Sequence, residues 1–347
     1  MSMNSEIKEL HESARQVIDG LGLAADEQST WSTIAELGWL MVSAPEELGG
    51  LGMGLEGLCA LQLEQGRGLV TVPYLPALLS IEAIVHGELA DKASWLERLT
   101  TGESYVAAPL ADSAITVARN DDTLTLTGLL TTLSSVDRAS HVLVATDAVV
   151  ALLPVASAQV TARRTWDTTR RFSDLRFDGV AVDKSLVVAV DAAAAALTRR
   201  LATMRDFALA ADAVGGAAAI LKMTVDYLQT RQQFGRPLAM FQALKHRCAD
   251  LKAQVEAADA LLHDNLARAG DDLAGAEAET LARAAKQLAC AVYAAAAEEG
   301  IQLHGGIGVT EEYPCHLFLK RALLNEQLGR GDCYEQALAD ELLQRFA

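Results

Sequence analysis

The chain has 347 residues, 51% of them hydrophobic, and sets 46 Asp and Glu against 29 Lys and Arg, a net charge of −17. That length suits two or three domains around a sizeable core and excludes a disordered chain. The negative charge repels nucleic-acid phosphates, leaving room for a localised basic site for one small anionic ligand.

No run of about 18 uninterrupted apolar residues marks a membrane span, and the opening "MSMNSEIKELHESARQ" lacks a signal-peptide core. Cys59, Cys248, Cys290, Cys315 and Cys333 are scattered with no CxxC pair. They read as reduced thiols of a cytoplasmic protein, not as a disulfide frame or a metal site.

Taken in chain order, residues 1–101 predict a helical domain. "EIKELHESARQVIDGL" and "TWSTIAELGWL" place apolar residues at helical spacing, and "LEGLCALQLEQGRGL" resumes the pattern after the turn-rich "APEELGGLGMG". Residues 102–190 predict a β-domain: "TLTLTG", "HVLVAT", "VVALLPV" and "SDLRFDGVAV" are short Val-, Thr- and Leu-rich runs at sandwich or barrel spacing. "ITVARNDDTLTLTG" predicts a hairpin through Asn120–Asp122. From 191 to 347 the pattern is helical again, with alanine-rich stretches over 192–230, 241–268 and 273–302 that suit a packed bundle. The fold class is mostly α with a central β-domain, since a doubly wound α/β chain would alternate strand and helix.

Three motifs invite a chemical reading. "GMGLEG" at 52–57 satisfies G-x-G-x-x-G, but no strand precedes it, so it reads as a turn between helices. "YLQTRQQFGRPLAMFQALKHRCADL" gathers Arg231, Arg236, Lys245, His246 and Arg247 around a helix break. It reads either as a phosphate grip or as a solvated turn balanced by local acids. "QLHGGIGVTEEYP" follows a long helix: its glycines either cap the helix or let a ligand approach bare backbone, and His304 reads as a packed or capping residue.

Together these segments resemble the acyl-CoA dehydrogenase family across nearly the whole chain. "LGWLMVSAPEELGGLGMG" is similar to its PEExGGxG turn, "RQQFGRPLAMFQALKHRCADL" to its RxxFGxPLxxFQ segment, and "IQLHGGIGVTEEYPCHLFLKRA" to its QxxGGxGxxxEYP segment. The resemblance implies an amino-terminal helical domain, a middle β-barrel or sandwich and a carboxy-terminal four-helix bundle. It also implies FAD, an acyl-CoA thioester oxidised to the trans-2-enoyl-CoA, and electrons passed to an electron-transfer flavoprotein. Arg231, Phe234, Gln242, Gln302, Gly305 and Gly306 would hold the adenine-diphosphate half of FAD across a subunit boundary. Ser113 and Ser134 would lie beside its ring.

The departures from the family pattern fall on the ring and the base. Where the family has TEPxxGSD, this chain has "AAPLADSA"; where it has GxKxWITN, this chain has "GLLTTLSS", with Thr132 in place of Trp and Ser134 in place of Thr. The two positions at which members carry the catalytic Glu hold Arg205 and Arg330. A guanidinium stays protonated and cannot take an α-proton, which leaves Asp206 and Glu335 as substitute candidates for the base. The resemblance thus implies one subunit of an α2β2 heteromer with a base-bearing paralogue, as among members acting on steroid-type thioesters. The alternatives are a self-sufficient homo-oligomer with a non-standard base, an O2-using oxidase, or a cofactor-free scaffold.

Overall fold

A computed structural model describes residues 5–111, 113–120, 123–329 and 333–346. Five helices come first: α1 (Ser5–Leu21), α2 (Glu27–Glu36), α3 (Gly54–Arg67), α4 (Tyr74–His86) and α5 (Lys92–Thr100). Asp26 caps α2, accepting a 2.9 Å bond from the Ser29 N–H, as a short acidic side chain does at a helix start. "GMGLEG" opens α3 with no strand before it among the described residues, so no dinucleotide fold forms there.

Eight strands follow: β1 (Val106–Ala107), β2 (Ala114–Asn120), β3 (Thr123–Ser134), β4 (His141–Ala145), β5 (Val149–Pro154), β6 (Gln159–Arg163), β7 (Phe172–Ala181) and β8 (Val187–Val190). They form two four-stranded sheets, β1-β4-β5-β8 and β2-β3-β7-β6. All pairings are antiparallel except β1 with β4. The run "VVALLP" is β5, which lies inside its sheet and is buried from Val149 to Leu153, hence its unbroken apolar character. The β2–β3 pair has the predicted hairpin register down to Asn120↔Thr123, and Asp121 and Asp122 lie outside the described residues.

The rest is helical apart from one small hairpin. It comprises α6 (Asp191–Thr230), the strands β9 (Gln232–Gln233) and β10 (Arg236–Pro237), α7 (Gln242–Ala269), α8 (Ala276–His304), α9 (Cys315–Gln327) and α10 (Cys333–Phe346). At about 1.5 Å per residue, α6 runs on the order of 60 Å. It is long and apolar enough to cross a membrane, yet that stretch is mostly buried inside the protein. Small residues make the burial close. A Cβ on Gly215 would fall 1.9 Å from the Leu63 carbonyl oxygen, and one on Gly66 would fall 2.1 Å from that of Asp212. The backbones of α3 and α6 therefore touch where they cross.

All three regions meet on one buried polar node. Arg321 of α9, fully buried, donates to Asp167 in the β6–β7 connection (2.8 Å) and to the Val70 carbonyl after α3 (3.1 Å). Asp212 of α6 receives Arg170 (2.8 Å), Asn325 (2.7 Å) and Gln62 (3.0 Å). Burial alone would raise the pKa of Asp212, but the charges of Arg170 and Arg321 outweigh it and hold the carboxyl below its ordinary range. The node ties Gln62, the β-domain connection and the bundle into one unit.

Candidate functional site

One end of the bundle gathers six of the eight residues assigned to FAD. The last turn of α6 closes with the Arg231 N–H on the Tyr227 carbonyl (2.8 Å), and Leu238 returns to the Arg231 carbonyl at the same distance. The β9–β10 hairpin between them puts Phe234 at its tip, 90% exposed and edge-on to Phe241 at 6.2 Å. Arg236 lies over the Phe241 ring at 4.1 Å, a cation–π contact. Exposed Gln242 begins α7. Exposed Gln302 lies in the last turn of α8, followed by Gly305 and Gly306.

Gly305 has φ +63° and ψ −142°, a backbone state open almost only to glycine. Nothing lies within 4 Å of a Cβ built on either glycine, so both face open space. The two turns are neighbours because the Tyr227 ring stacks on His304 at 4.4 Å. Among the described residues no carboxylate pairs with Arg231 or Arg236, whereas Arg247 is taken by Glu299 at 2.6 Å. Two exposed, uncompensated guanidiniums beside bare backbone suit a diphosphate.

The other half of such a cofactor meets a different surface. In place of the family's Trp, Thr132 lies in a bulge of the β3–β7 pairing with φ +60°, an outlier for a β-branched residue. Its N–H is held by Asp174 at 3.1 Å. Ser134 is 2% exposed, with Tyr105 donating to its carbonyl at 2.8 Å. The "AAPLADSA" segment is bridged to Leu133 through Pro109 and to Gly329 through Ala111. The segments that would flank a flavin ring are thus hydrogen-bonded to one another. The diphosphate half of FAD fits the residues present; the ring half does not.

A cavity of about 460 Å³ opens against these segments, between Leu143–Asp147 of the β-domain, α6 and α8. Ala108, Pro109 and Ser113 border it, but Thr132 and Ser134 do not. Its helical wall is charged, with Arg205, Asp206, Glu279 and Arg283 contributing. Asp206 enters that wall already engaged: Arg205 donates to it at 2.9 Å and the Tyr334 hydroxyl at 2.8 Å. Arg205, Asp206 and Tyr334 are all under 7% exposed. Beneath them Lys286 sits 4.4 Å over the Tyr334 ring, and burial lowers its pKa.

Glu335 is exposed, accepts from Gln287 at 2.8 Å, and borders a separate hollow with Cys290 and Glu326. The two substitute candidates are therefore not brought together. Arg330 lies outside the described residues. The phosphates of a CoA thioester would need a local basic patch, for which the sequence offers Arg199, Arg200 and Arg205; Arg200 turns to Glu82 at 2.6 Å and Arg205 to Asp206, so two of the three are already paired.

Sequence reasoning missed Tyr334, whose partner Asp206 is 128 residues away, and the Tyr227–His304 stack. A tyrosine with no motif around it gives no local signal for either.

The description of the acyl-CoA dehydrogenase N-terminal domain matches residues 6–103, and that of the C-terminal domain matches residues 194–332. The acyl-CoA dehydrogenase IpdE2 of Mycobacterium tuberculosis is 33% identical over 87% of this chain and 82% of its own length. Among solved structures, a Tcur3481–Tcur3483 steroid ACAD superposes with a TM-score of 0.86 at 29% identity, covering 98% of both chains. The ChsE4–ChsE5 complex from Mycobacterium tuberculosis superposes at 0.87 with 24% identity, covering 99% of this chain and 98% of that one, a likeness of fold.

Proposed function

The chain belongs to the acyl-CoA dehydrogenase family, whose members are FAD-binding oxidoreductases, and from that premise we propose that it is the supporting subunit of a heteromeric acyl-CoA dehydrogenase. The observation that carries this reading is the contrast within the cofactor site. The diphosphate cradle is open and cationic, while the segments meant for the ring are bonded together and Asp206 is engaged by Arg205 and Tyr334. FAD, when bound, accepts the hydride of an α,β-dehydrogenation whose α-proton needs a free carboxylate. This chain offers Arg231, Phe234, Gln242, Gln302, Gly305 and Gly306 to the adenine-diphosphate half. A paralogous partner in an α2β2 assembly supplies the ring contacts and the base.

The substrate is an acyl-CoA thioester, and the printed description of the Tcur3481–Tcur3483 structure as a steroid ACAD supports a bulky, steroid-type acyl group. The product is the trans-2-enoyl-CoA, the acceptor an electron-transfer flavoprotein, and the setting cytoplasmic.

The test is a flavin absorbance spectrum with a native mass, on the chain alone and co-expressed with its paralogous neighbour. A colourless lone chain and a complex with one FAD per pair of chains is the expected result. A lone chain that is yellow and bleached anaerobically by an acyl-CoA would overturn it. Asp206, at the cavity wall, would then be the first base to replace.

A further inference from the structure

The two cationic and glycine turns belong to different helices, and an aromatic stack is what joins them. Tyr227 lies one turn before Arg231 on α6, and its carbonyl receives the Arg231 N–H. His304 lies immediately before Gly305 on α8. Their rings stack at 4.4 Å with planes 27° apart, and Tyr313 lies against both, tilted 4.9 Å from His304 and edge-on 6.0 Å from Tyr227. The Tyr227 hydroxyl also reaches the His304 carbonyl at 3.4 Å.

His304 itself is anchored and buried. It is 4% exposed, and its Nδ1 lies 2.7 Å from the Gly300 carbonyl, so Nδ1 carries the proton and donates. Among the described residues its Nε2 has no hydrogen-bond partner, so the neutral imidazole is held by its stack on Tyr227 and its tilted contact with Tyr313. A helix cap alone needs only the Nδ1 bond. The unpartnered Nε2 and the two ring contacts are surplus to capping.

We propose that the Tyr227–His304 stack, buttressed by Tyr313, is a spacer that fixes the distance between the Arg231 turn and the Gly305–Gly306 turn, making His304 a positioning residue for the FAD diphosphate. This rests on the reading of that end of the bundle as the diphosphate cradle. A diphosphate bridging both turns needs them at one separation, and charge-assisted hydrogen bonds lose strength steeply with misplacement. Tyr227 and His304 are 77 residues apart in sequence, and the pair touches the backbone of both turns.

The experiment is FAD titration by flavin fluorescence onto the flavin-stripped complex, with variants chosen to separate ring from cap. His304→Asn keeps an N–H for the Gly300 carbonyl and removes the ring; His304→Phe keeps the ring and removes the N–H. Native mass and melting temperature are followed in parallel, and each variant is repeated with Arg231→Ala. The proposal expects His304→Asn to weaken FAD by about tenfold, and His304→Phe to stay within about threefold of the parent. It also expects the His304→Asn effect to shrink to less than about threefold once Arg231 is gone, because misplacing one turn matters only while both grip. Rescue by Asn rather than Phe, or losses that simply multiply with Arg231→Ala, would make His304 a structural cap and overturn the spacer. Unchanged FAD affinity in Arg231→Ala itself would remove the cradle, and the spacer with it.

Discussion

Arg231 and Arg321 stand at opposite extremes of environment in one bundle. Arg321 is fully buried and meets Asp167, Thr169 and the Val70 carbonyl; Arg231 is exposed and, among the described residues, meets no acid. A buried guanidinium without partners would be prohibitive, so its surroundings are fixed by folding. An exposed one in a chain of net charge −17 could have found a carboxylate cheaply. Its lack of one is what the proposed diphosphate cradle requires. The difference separates residues that hold the chain together from residues that hold something else.

The sharpest way to break that comparison is at the buried end. Arg321→Met removes the cation shared by Asp167 and Asp212, leaving two buried carboxylates less compensated, and is expected to cost about 3–5 kcal/mol. Denaturant unfolding reads it, and a loss under about 1 kcal/mol would show the node to be ornamental.

Next in size is Glu64, whose side chain is buried. Burial would raise its pKa, but hydrogen bonds from His11, Arg67 and Arg15 prevail and bring it to about 2. A carboxyl depressed in the folded state stabilises above its unfolded pKa and loses that contribution as pH falls toward the folded value. Stability should therefore decline between the ordinary glutamate range and about pH 2. Glu64→Gln should flatten that decline and cost about 1–3 kcal/mol at neutral pH. An unaltered acid limb would place the titration elsewhere.

Gly305→Ala is the counterpart at the open end. It strains a backbone state reserved for glycine, at about 1–3 kcal/mol, and should lower flavin occupancy of the complex more than it lowers the melting temperature. Equal occupancy would detach that turn from the cofactor. The smallest effect belongs to Arg199, exposed and, among the described residues, bonded only to the Ala274 carbonyl. Arg199→Ala should shift stability by under about 0.5 kcal/mol and leave flavin affinity untouched.

Much of the fold was legible because its signals are local. The period of the alanine-rich stretches over 192–230 and 273–302 anticipates α6 and α8, and "VVALLP" announces a strand buried on both faces. The open half of the candidate site was legible for the same reason: Arg231 through Gln242 is one continuous segment, and Gln302 through Gly306 another. What stayed hidden is built from pairs far apart in sequence. Arg321 and Asp167 are separated by 154 residues, and Tyr334 and Asp206 by 128. Neither side chain advertises its partner, since a buried charge is written with the same letter as a solvated one. The basic patch at Arg199–Arg205 failed on that account, because Glu82 and Asp206 claim two of its three members.

The crossing of α3 and α6 at Gly66 and Gly215 has a mechanical consequence. Backbone touching backbone leaves no compressible side chain between the helices, so the contact acts as a fulcrum under a long rod. One arm runs about 22 Å to the end of α6 and carries the Arg231 turn. The other arm runs about 36 Å back to Asp191 and carries Arg205 and Asp206 in the cavity wall. A rigid rod pinned near its middle moves its ends in opposite senses, so any tilt of α6 about this crossing would shift the arginine turn and the wall of the cavity in opposite directions.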